Sequence, residues 1–311
     1  MGWGETESLT AKMLRRTRDN NDHIEHTPLS PVVATKFTPS PWRNTAQSVV
    51  DACEESRQRL GVDQIDLYQL HMPDIVQPLK FLGRSEVKDE LYWDGLAECY
   101  HRGLVKNVGV SNYGPTLLMR CQDALGKRGV PLASNQIGYS LIGRHNGAQE
   151  TVDKCKELDI AVLGFFPFAM GLLTGKYSAS LGPGSIDYKS RERSLLKSKK
   201  TGLENMELNR YAEGITPLMD VMTSIAERRG KTVAQIALNY VVCKGVIPIP
   251  GANSYSQVSD NIGAMGWRLS PTEVEMLETA ADSLGFGFEG AGFKRTSEKF
   301  VGYGVEKWSL N

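Results

Sequence analysis

No stretch of this chain approaches the roughly 18 consecutive apolar residues that a membrane-spanning helix needs. Nor is there an excess of either charge, since 36 Lys and Arg balance 36 Asp and Glu. The first lack excludes a transmembrane helix, and the second removes the general field that draws a protein to nucleic acid or to an anionic membrane. Cysteines are sparse as well. Cys53, Cys99, Cys121, Cys155 and Cys243 are odd in number and carry no metal-ligand spacing, so they predict neither a disulfide framework nor a metal site. They read as packed thiols in a reducing compartment. The opening residues, MGWGETESLTAKMLRR, lack the apolar core of a secretory signal and the serine richness of a transit peptide.

What is present is a regular alternation of strand-like and helix-like segments over 311 residues, a length that one α/β domain can fill. Residues 6–17 have a helical pattern, and 32–37 form a buried strand bounded by Pro31 and Pro39. Residues 44–60 place Val49, Val50, Cys53 and Leu60 on one helical face and end near Gly61. A strand at 64–71 precedes a helix at about 87–102, which gathers Leu96, Cys99 and Tyr100 and stops at Gly103, a residue suited to the left-handed cap. Then come strand 105–110, helix 115–126, strand 132–137, helix 148–157 and strand 159–166.

The rhythm breaks at 171–210, where GLLTGKY is followed by SASLGPGS and the charged run KSRERSLLKSKK. An excursion of that length predicts a functional lid or a loose insertion. Helical periodicity returns with Ile215, Leu218, Met219, Met222, Ile225 and Ala226 on one stripe. A second helix begins with the capping pair Thr232 and Gln235, and a last one with Ser270, Pro271 and Glu273. Beyond about residue 284 the tail is irregular, and no internal repeat or second domain is visible.

Polar residues recur just past the ends of the strands. Lys36 ends VVATKF, His71 ends IDLYQLH, Ser111 and Asn112 follow VKNVGV, and Gln136 closes LASNQ. Phe165 and Phe166 close IAVLGFF, and the turn PGANS follows VIPI. Successive markers from Lys36 to His71, Ser111, Gln136 and Phe165 lie 35, 40, 25 and 29 residues apart, each about one βα unit. That arrangement predicts a (β/α)8 TIM-type barrel with its site at the strand C-termini. Six strands are counted where eight are expected. An open doubly wound sheet fits less well, because the one GxGxxG, at Gly285, Gly287 and Gly290, lies near the C-terminus after a helix, with no strand before it.

The blocks VVATKF, DLYQLHMP, VGVSNY, ASNQIGYSLIGR, GLLTGKY and IPIPGANSYSQVSDN stand in the order found in the aldo-keto reductases, and the chain resembles that family from residue 2 to about 282. The PGANS form, with Gln257 six residues after Gly251, is similar to the branch that holds plant and bacterial reductases and the β subunits of voltage-gated potassium channels. The resemblance implies an NADP-dependent reduction of a small carbonyl substrate, in which an acid protonates the developing alkoxide and donors hold its oxygen. In the family these are a Tyr, a Lys that lowers its pKa, an Asp paired with the Lys, and a His. Lys36 and His71 match the Lys and the His. The Tyr and Asp come from a DTAxxYG-like pattern that has no counterpart here, because GWGETES at 2–8 corresponds to the family's residues just after that Tyr. The expectation is a single domain over 1–311 holding strands 3–8 of the barrel and lacking the first two. Tyr68 is no substitute for the Tyr, since three residues before His71 it faces the other side of the strand.

For the cofactor NADP, the resemblance implies that Ser111, Asn112 and Gln136 bond the nicotinamide carboxamide and that Phe165 stands where a ring-stacking Tyr is usual. Phe166 departs from the family's frequent Ser. Gly171, Leu173 and Lys176 match the loop over the pyrophosphate, with Arg191 or Arg193 as a second cation or as a solvated run. Gly251 and a helix capped by Ser254 offer N–H groups to the adenosine 2′-phosphate, with Gln257 on the phosphate and Asn261 on the adenine. The alternative reading is a non-catalytic nucleotide-binding or interaction protein, or an incomplete gene model. Cytoplasm or plastid is the expected compartment, and the oligomeric state stays open.

Overall fold

The computed structural model describes residues 4–20, 31–74, 89–145, 147–175 and 214–284. The charged run with Arg191 and Arg193, Lys176 and the glycines at 285–290 lie outside the described residues. The described chain packs as two compact units, one holding the residues up to Gln136 with Cys155–Ala161, the other Ile137–Lys154 and the residues from Val162 onward.

The first unit opens with α1 (Glu5–Asn20), followed by β1 (Ala34–Phe37), α2 (Ala46–Leu60), β2 (Ile65–Leu70), α3 (Asp89–His101), β3 (Val105–Ser111) and α4 (Pro115–Gly126). β4 (Leu132–Gly138) begins in this unit and ends in the next. β1 pairs with β2, β2 with β3 and β3 with β4, all parallel, as strands joined through helices must be. Strand alternation sorts the side chains. Tyr68, Leu70 and Phe37 are buried on the helix side, where Phe37 meets Tyr92 of α3 at 5.6 Å between ring centroids. Gln69 lies on the other face and donates to Ser134 Oγ at 3.1 Å. α2 ends as its glycine predicts, with Gly61 at φ 65° and its N–H on the carbonyls of Arg57 and Gln58.

The second unit holds most of α5 (Ala148–Glu157), β5 (Ala161–Phe165), a 3-10 turn (Ala169–Thr174), α6 (Thr216–Arg229), α7 (Val233–Cys243), β6 (Val246–Ile249), α8 (Tyr255–Ile262) and α9 (Pro271–Asp282). β5 and β6 are parallel. Among the described residues the strands are ordered β1-β2-β3-β4-β5-β6. Every residue of the stripe expected on α6 is buried, and the capping boxes at Thr232 and Ser270 are formed. β5 is shorter than the sequence suggests because Asp159 and Phe166 take left-handed conformations, φ 56° and 57°, which end the extended run on both sides. β1 likewise begins at Ala34 rather than Val32, although Val33 O still accepts from Leu67 N–H at 3.1 Å, because the Val33 N–H bonds the Asp66 carboxylate instead of a backbone carbonyl. Four of the five thiols are buried, and Cys243 is partly so. Among the described residues no helix is long and apolar enough to cross a membrane, and no cluster of His, Cys, Asp and Glu suits a metal.

Candidate functional site

Lys36 and His71 lie on the same face of neighbouring strands. Register pairs Lys36 with Gln69, and His71 comes two residues after Gln69, so strand alternation turns all three the same way. His71 N–H bonds Phe37 O at 2.8 Å, which fixes the end of β2 against the end of β1. Burial, with the nearby Lys36 ammonium adding to it, pulls the His71 imidazole down to about 4. Burial also lowers Lys36, and no carboxylate forms an ion pair with it among the described residues. At neutral pH the ring is therefore uncharged. Its Nδ1 is 3.1 Å from Thr38 Oγ1, and with that hydroxyl donating, the proton sits on Nε2, the free end of the ring. Thr38 is not among the residues expected from the sequence. A signal for it exists, since it stands two residues after Lys36 and so shares its face.

At the ends of β3 and β4 a second polar group forms. Ser111 Oγ donates to Gln136 O at 2.8 Å, and Asn112 N–H bonds the same carbonyl at 2.8 Å. Asn112 stands at φ 63°, a conformation that Asn tolerates better than most side chains. Its Nδ2 reaches Ser111 Oγ and the carbonyl of His71, both at 3.1 Å. Its Oδ1 is buried and has no partner. A buried acceptor left in that state costs about 1–3 kcal/mol, and a primary amide is the kind of donor that would satisfy it. Beneath this face Gln69 is fully buried, its Nε2 bonding Val110 O and Ser134 Oγ. Gly109 keeps that bridge open, because a Cβ there would come within 2.9 Å of Ser134 O and still closer to Ser134 Oγ. Tyr68 is fully buried on the helix side, away from Lys36.

The second unit carries a cleft of about 550 Å³. Phe165 and Phe166, packed edge to face at 4.9 Å, form one wall, with Gly171 beside them. Gly251, Gln257 and Asn261 line it from β6 and α8. Gly171 takes φ 95°, open to glycine alone without strain. The N–H groups of Gly171 and Leu173 both bond Phe168 O, at 2.9 and 3.1 Å, and the Leu173 side chain is buried, so this turn is held by its own backbone. Ser254 caps α8 by accepting from Gln257 N–H at 3.3 Å, while Gln257 Oε1 accepts from Asn253 N–H at 2.6 Å. The Gln257 carbonyl is thereby committed to the turn, leaving its amide nitrogen for a ligand. Asp260 also lines the cleft, its carboxylate held by Thr232 Oγ1 at 2.9 Å and Gln235 Nε2 at 3.0 Å. Sequence reasoning does not single it out, since one carboxylate in a short helix carries no pattern. Among the described lining residues there is no Lys, Arg or His.

A sequence model of the aldo/keto reductase family matches residues 2–282. A chloroplastic pyridoxal reductase of Arabidopsis thaliana is 37% identical over 278 residues, which cover 89% of this chain and 68% of the relative. An aldo-keto reductase of Strobilurus tenacellus is 27% identical over 90% of this chain and 75% of its own length. Among solved structures, a Bombyx mori aldo-keto reductase in complex with NADP superposes with a TM-score of 0.61 at 22% identity, covering 87% of this chain and 74% of that one. A glycerol dehydrogenase from Gluconobacter oxydans gives 0.65 at 24%, covering 91% and 77%. At those identities the likeness is one of fold, an α/β arrangement of the (β/α)8 kind. A match that runs from residue 2 to residue 282 means that the chain belongs to the aldo/keto reductase family.

Proposed function

We propose that this chain is an NADPH-dependent oxidoreductase that reduces an aldehyde or ketone to the alcohol, with Lys36 and His71 as its reacting side chains. The observation that carries this is their placement on one face at adjacent strand ends, with the imidazole held neutral and its Nδ1 tied to Thr38. Bound NADPH supplies the hydride. His71 Nε2–H orients the substrate carbonyl by donating to its oxygen. Lys36, whose ammonium burial makes more acidic, delivers the proton that the developing alkoxide needs. An ammonium whose pKa is lowered by burial is a better acid than an unperturbed one, and a placed general acid contributes about 10²-fold or more. Its flexible stem keeps the gain at the low end of that range.

The orphaned Oδ1 of Asn112 fits the NH₂ of a carboxamide, with Ser111 and Gln136 completing the amide site. In the second unit Phe165 offers a ring face, Gly171 leaves room for the pyrophosphate against the cleft wall while the N–H groups of Gly171 and Leu173 stay on Phe168 O, and Gly251, Ser254, Gln257 and Asn261 take the adenosine with its 2′-phosphate. The whole chain acts as a single oxidoreductase domain. The 37% identity to a pyridoxal reductase favours an aromatic aldehyde of that type as substrate, and a plastid over the cytoplasm as compartment. NADPH oxidation monitored by the cofactor's absorbance with pyridoxal, and with a short aliphatic aldehyde beside it, tests the assignment. Lys36→Met and His71→Gln should each lower kcat/KM by about 100-fold while leaving NADPH affinity within about threefold. A folded chain that quenches with NADPH but turns over no aldehyde would favour the nucleotide-binding reading instead.

A further inference from the structure

Directly after His71 the chain runs through Met72 and Pro73 to Asp74, and directly after Asn112 comes Tyr113. Asp74 and Tyr113 are both buried, and both bond one carboxylate. Asp89, the first residue of α3 and 1% exposed, accepts at Oδ1 from Tyr113 Oη at 2.6 Å and from Asp74 N–H at 3.2 Å. Around it Trp93 Nε1 donates to Tyr113 Oη at 3.1 Å, and Tyr92 Oη donates to Asp74 Oδ1 at 2.9 Å. Asp89 Oδ2 is buried without a partner. The group is buried and walled by the rings of Tyr92, Trp93 and Tyr113.

We propose that Asp89 is a positioning residue for the reaction: its buried carboxylate ties the segment leaving β2 with His71 to the segment leaving β3 with Asn112 and so sets the spacing of the two. The assignment rests on the reductase reading for its effect on turnover, and on geometry alone for its effect on the two segments. Above the tie, Asn112 Nδ2 bonds His71 O at 3.1 Å, so a shift in either segment reaches both polar groups.

The electrostatics argue for function over packing. Burial lifts the Asp89 carboxyl to about 6, against the lowering effect of its bonds from Tyr113 and Asp74 N–H. Asp74 on the loop after β2 and Glu90 on α3 push in the same direction as burial. The other titratable groups facing it are the Tyr113 phenol, the Tyr92 phenol behind Asp74 and the Cys121 thiol of α4, all of them held neutral. No cation pairs with the carboxylate among the described residues. A group raised in this way opposes folding once it ionises, so at neutral pH Asp89 costs stability where it stands. Asparagine would remove the charge and leave Tyr113 and Asp74 N–H a weaker, neutral acceptor, loosening the tie.

Two variants test the assignment, Asp89→Asn and Tyr113→Phe, each compared with the full chain. In wild type the backbone amide resonances of His71 and Asn112 should both report a transition with a midpoint near 6, and Asp89→Asn should abolish it. With NADPH and pyridoxal, both variants should lose about tenfold in kcat/KM, while Asp89→Asn melts no lower than wild type at neutral pH. Amides that do not titrate in wild type, or that still titrate in Asp89→Asn, overturn the proposal, as does activity lost only in step with the melting temperature. Should Asp89→Asn fail to fold, Tyr113→Phe decides by displacement of the same two amides, and unmoved amides overturn the proposal. A folded wild type that turns over no aldehyde instead sinks the reductase reading, and the amide titration still stands or falls by itself.

Discussion

His71 has one definite consequence for pH. Its folded-state value of about 4 lies below the 6.5 of an unfolded imidazole, so the unfolded chain takes up this proton first as acid is added. Stability contributed above pH 6.5 is therefore lost as pH falls towards 4, by roughly 3 kcal/mol for a shift of this size. Ring carbon and nitrogen shifts from NMR should keep His71 neutral down to about pH 5, and a midpoint above about 6 would remove the basis for a neutral donor. Thr38→Val should lower kcat/KM by about tenfold with pyridoxal, the loss of one hydrogen bond that fixes the imidazole. Unchanged turnover would mean that packing alone orients His71. Lys36, His71 and Asn112 are legible in the sequence because each is a polar residue closing a hydrophobic run. Thr38 is legible in principle from its two-residue offset. Asp89 is not, because its significance comes from Tyr113 and Asp74, which are 24 and 15 residues away in sequence.

Between elements, one tight constraint in the first unit is the approach of α3 to α2. A Cβ on Gly95 would sit 2.6 Å from both Ala46 O and Val49 Cβ, so Gly95→Ala must push the helices apart. Overpacking of this kind costs about 1–3 kcal/mol, and urea denaturation should show it as a lower midpoint with an unchanged m-value. A wild-type midpoint would mean the helices separate freely. In the second unit Thr232 both caps α7, accepting from Gln235 N–H at 3.1 Å, and donates to Asp260. Thr232→Ala should cost about 1–2 kcal/mol for the cap alone. It should also weaken NADPH binding, by freeing a carboxylate that lines the cleft. A thermal melt with and without NADPH separates the two effects. The helices and caps are set by local pattern. The closeness of α2 and α3 is not, since Gly95 in sequence looks like a weak helix residue rather than a contact.

For the molecule as a whole, two buried titrations oppose each other. Asp89 rises to about 6 where an unfolded Asp titrates at 3.8, so its contribution falls as pH rises through that interval. His71 contributes in the opposite sense over nearly the same range. Replacing Asp89 by Asn leaves the His71 effect uncompensated, and the melting temperature of that variant should fall more steeply than wild type between about pH 6.5 and about pH 4.5. Parallel slopes would show that one of the two titrations is not linked to folding. NADPH at about 100 times its Kd should stabilise the protein by about 2.7 kcal/mol if it binds only the folded chain.

By itself the sequence determined the α/β class, the run of parallel strands, the caps and the family, because these depend on hydrophobic period, turn chemistry and ordered blocks of neighbouring residues. It also determined which polar residues stand at the strand ends, since a side chain just past a buried strand has few other places to be. Tertiary structure decided the rest. That Lys36 and His71 share a face rests on the register of β1 with β2, and register is a property of two segments at once. That His71 is neutral rests on its burial and on the charge beside it. That Asn112 keeps one acceptor open, and that Asp89 binds two loops with one oxygen, depends on groups brought together by folding from distant parts of the chain. Hydrogen bonding and desolvation act over a few ångströms in space, and no pattern of neighbours along the sequence records them.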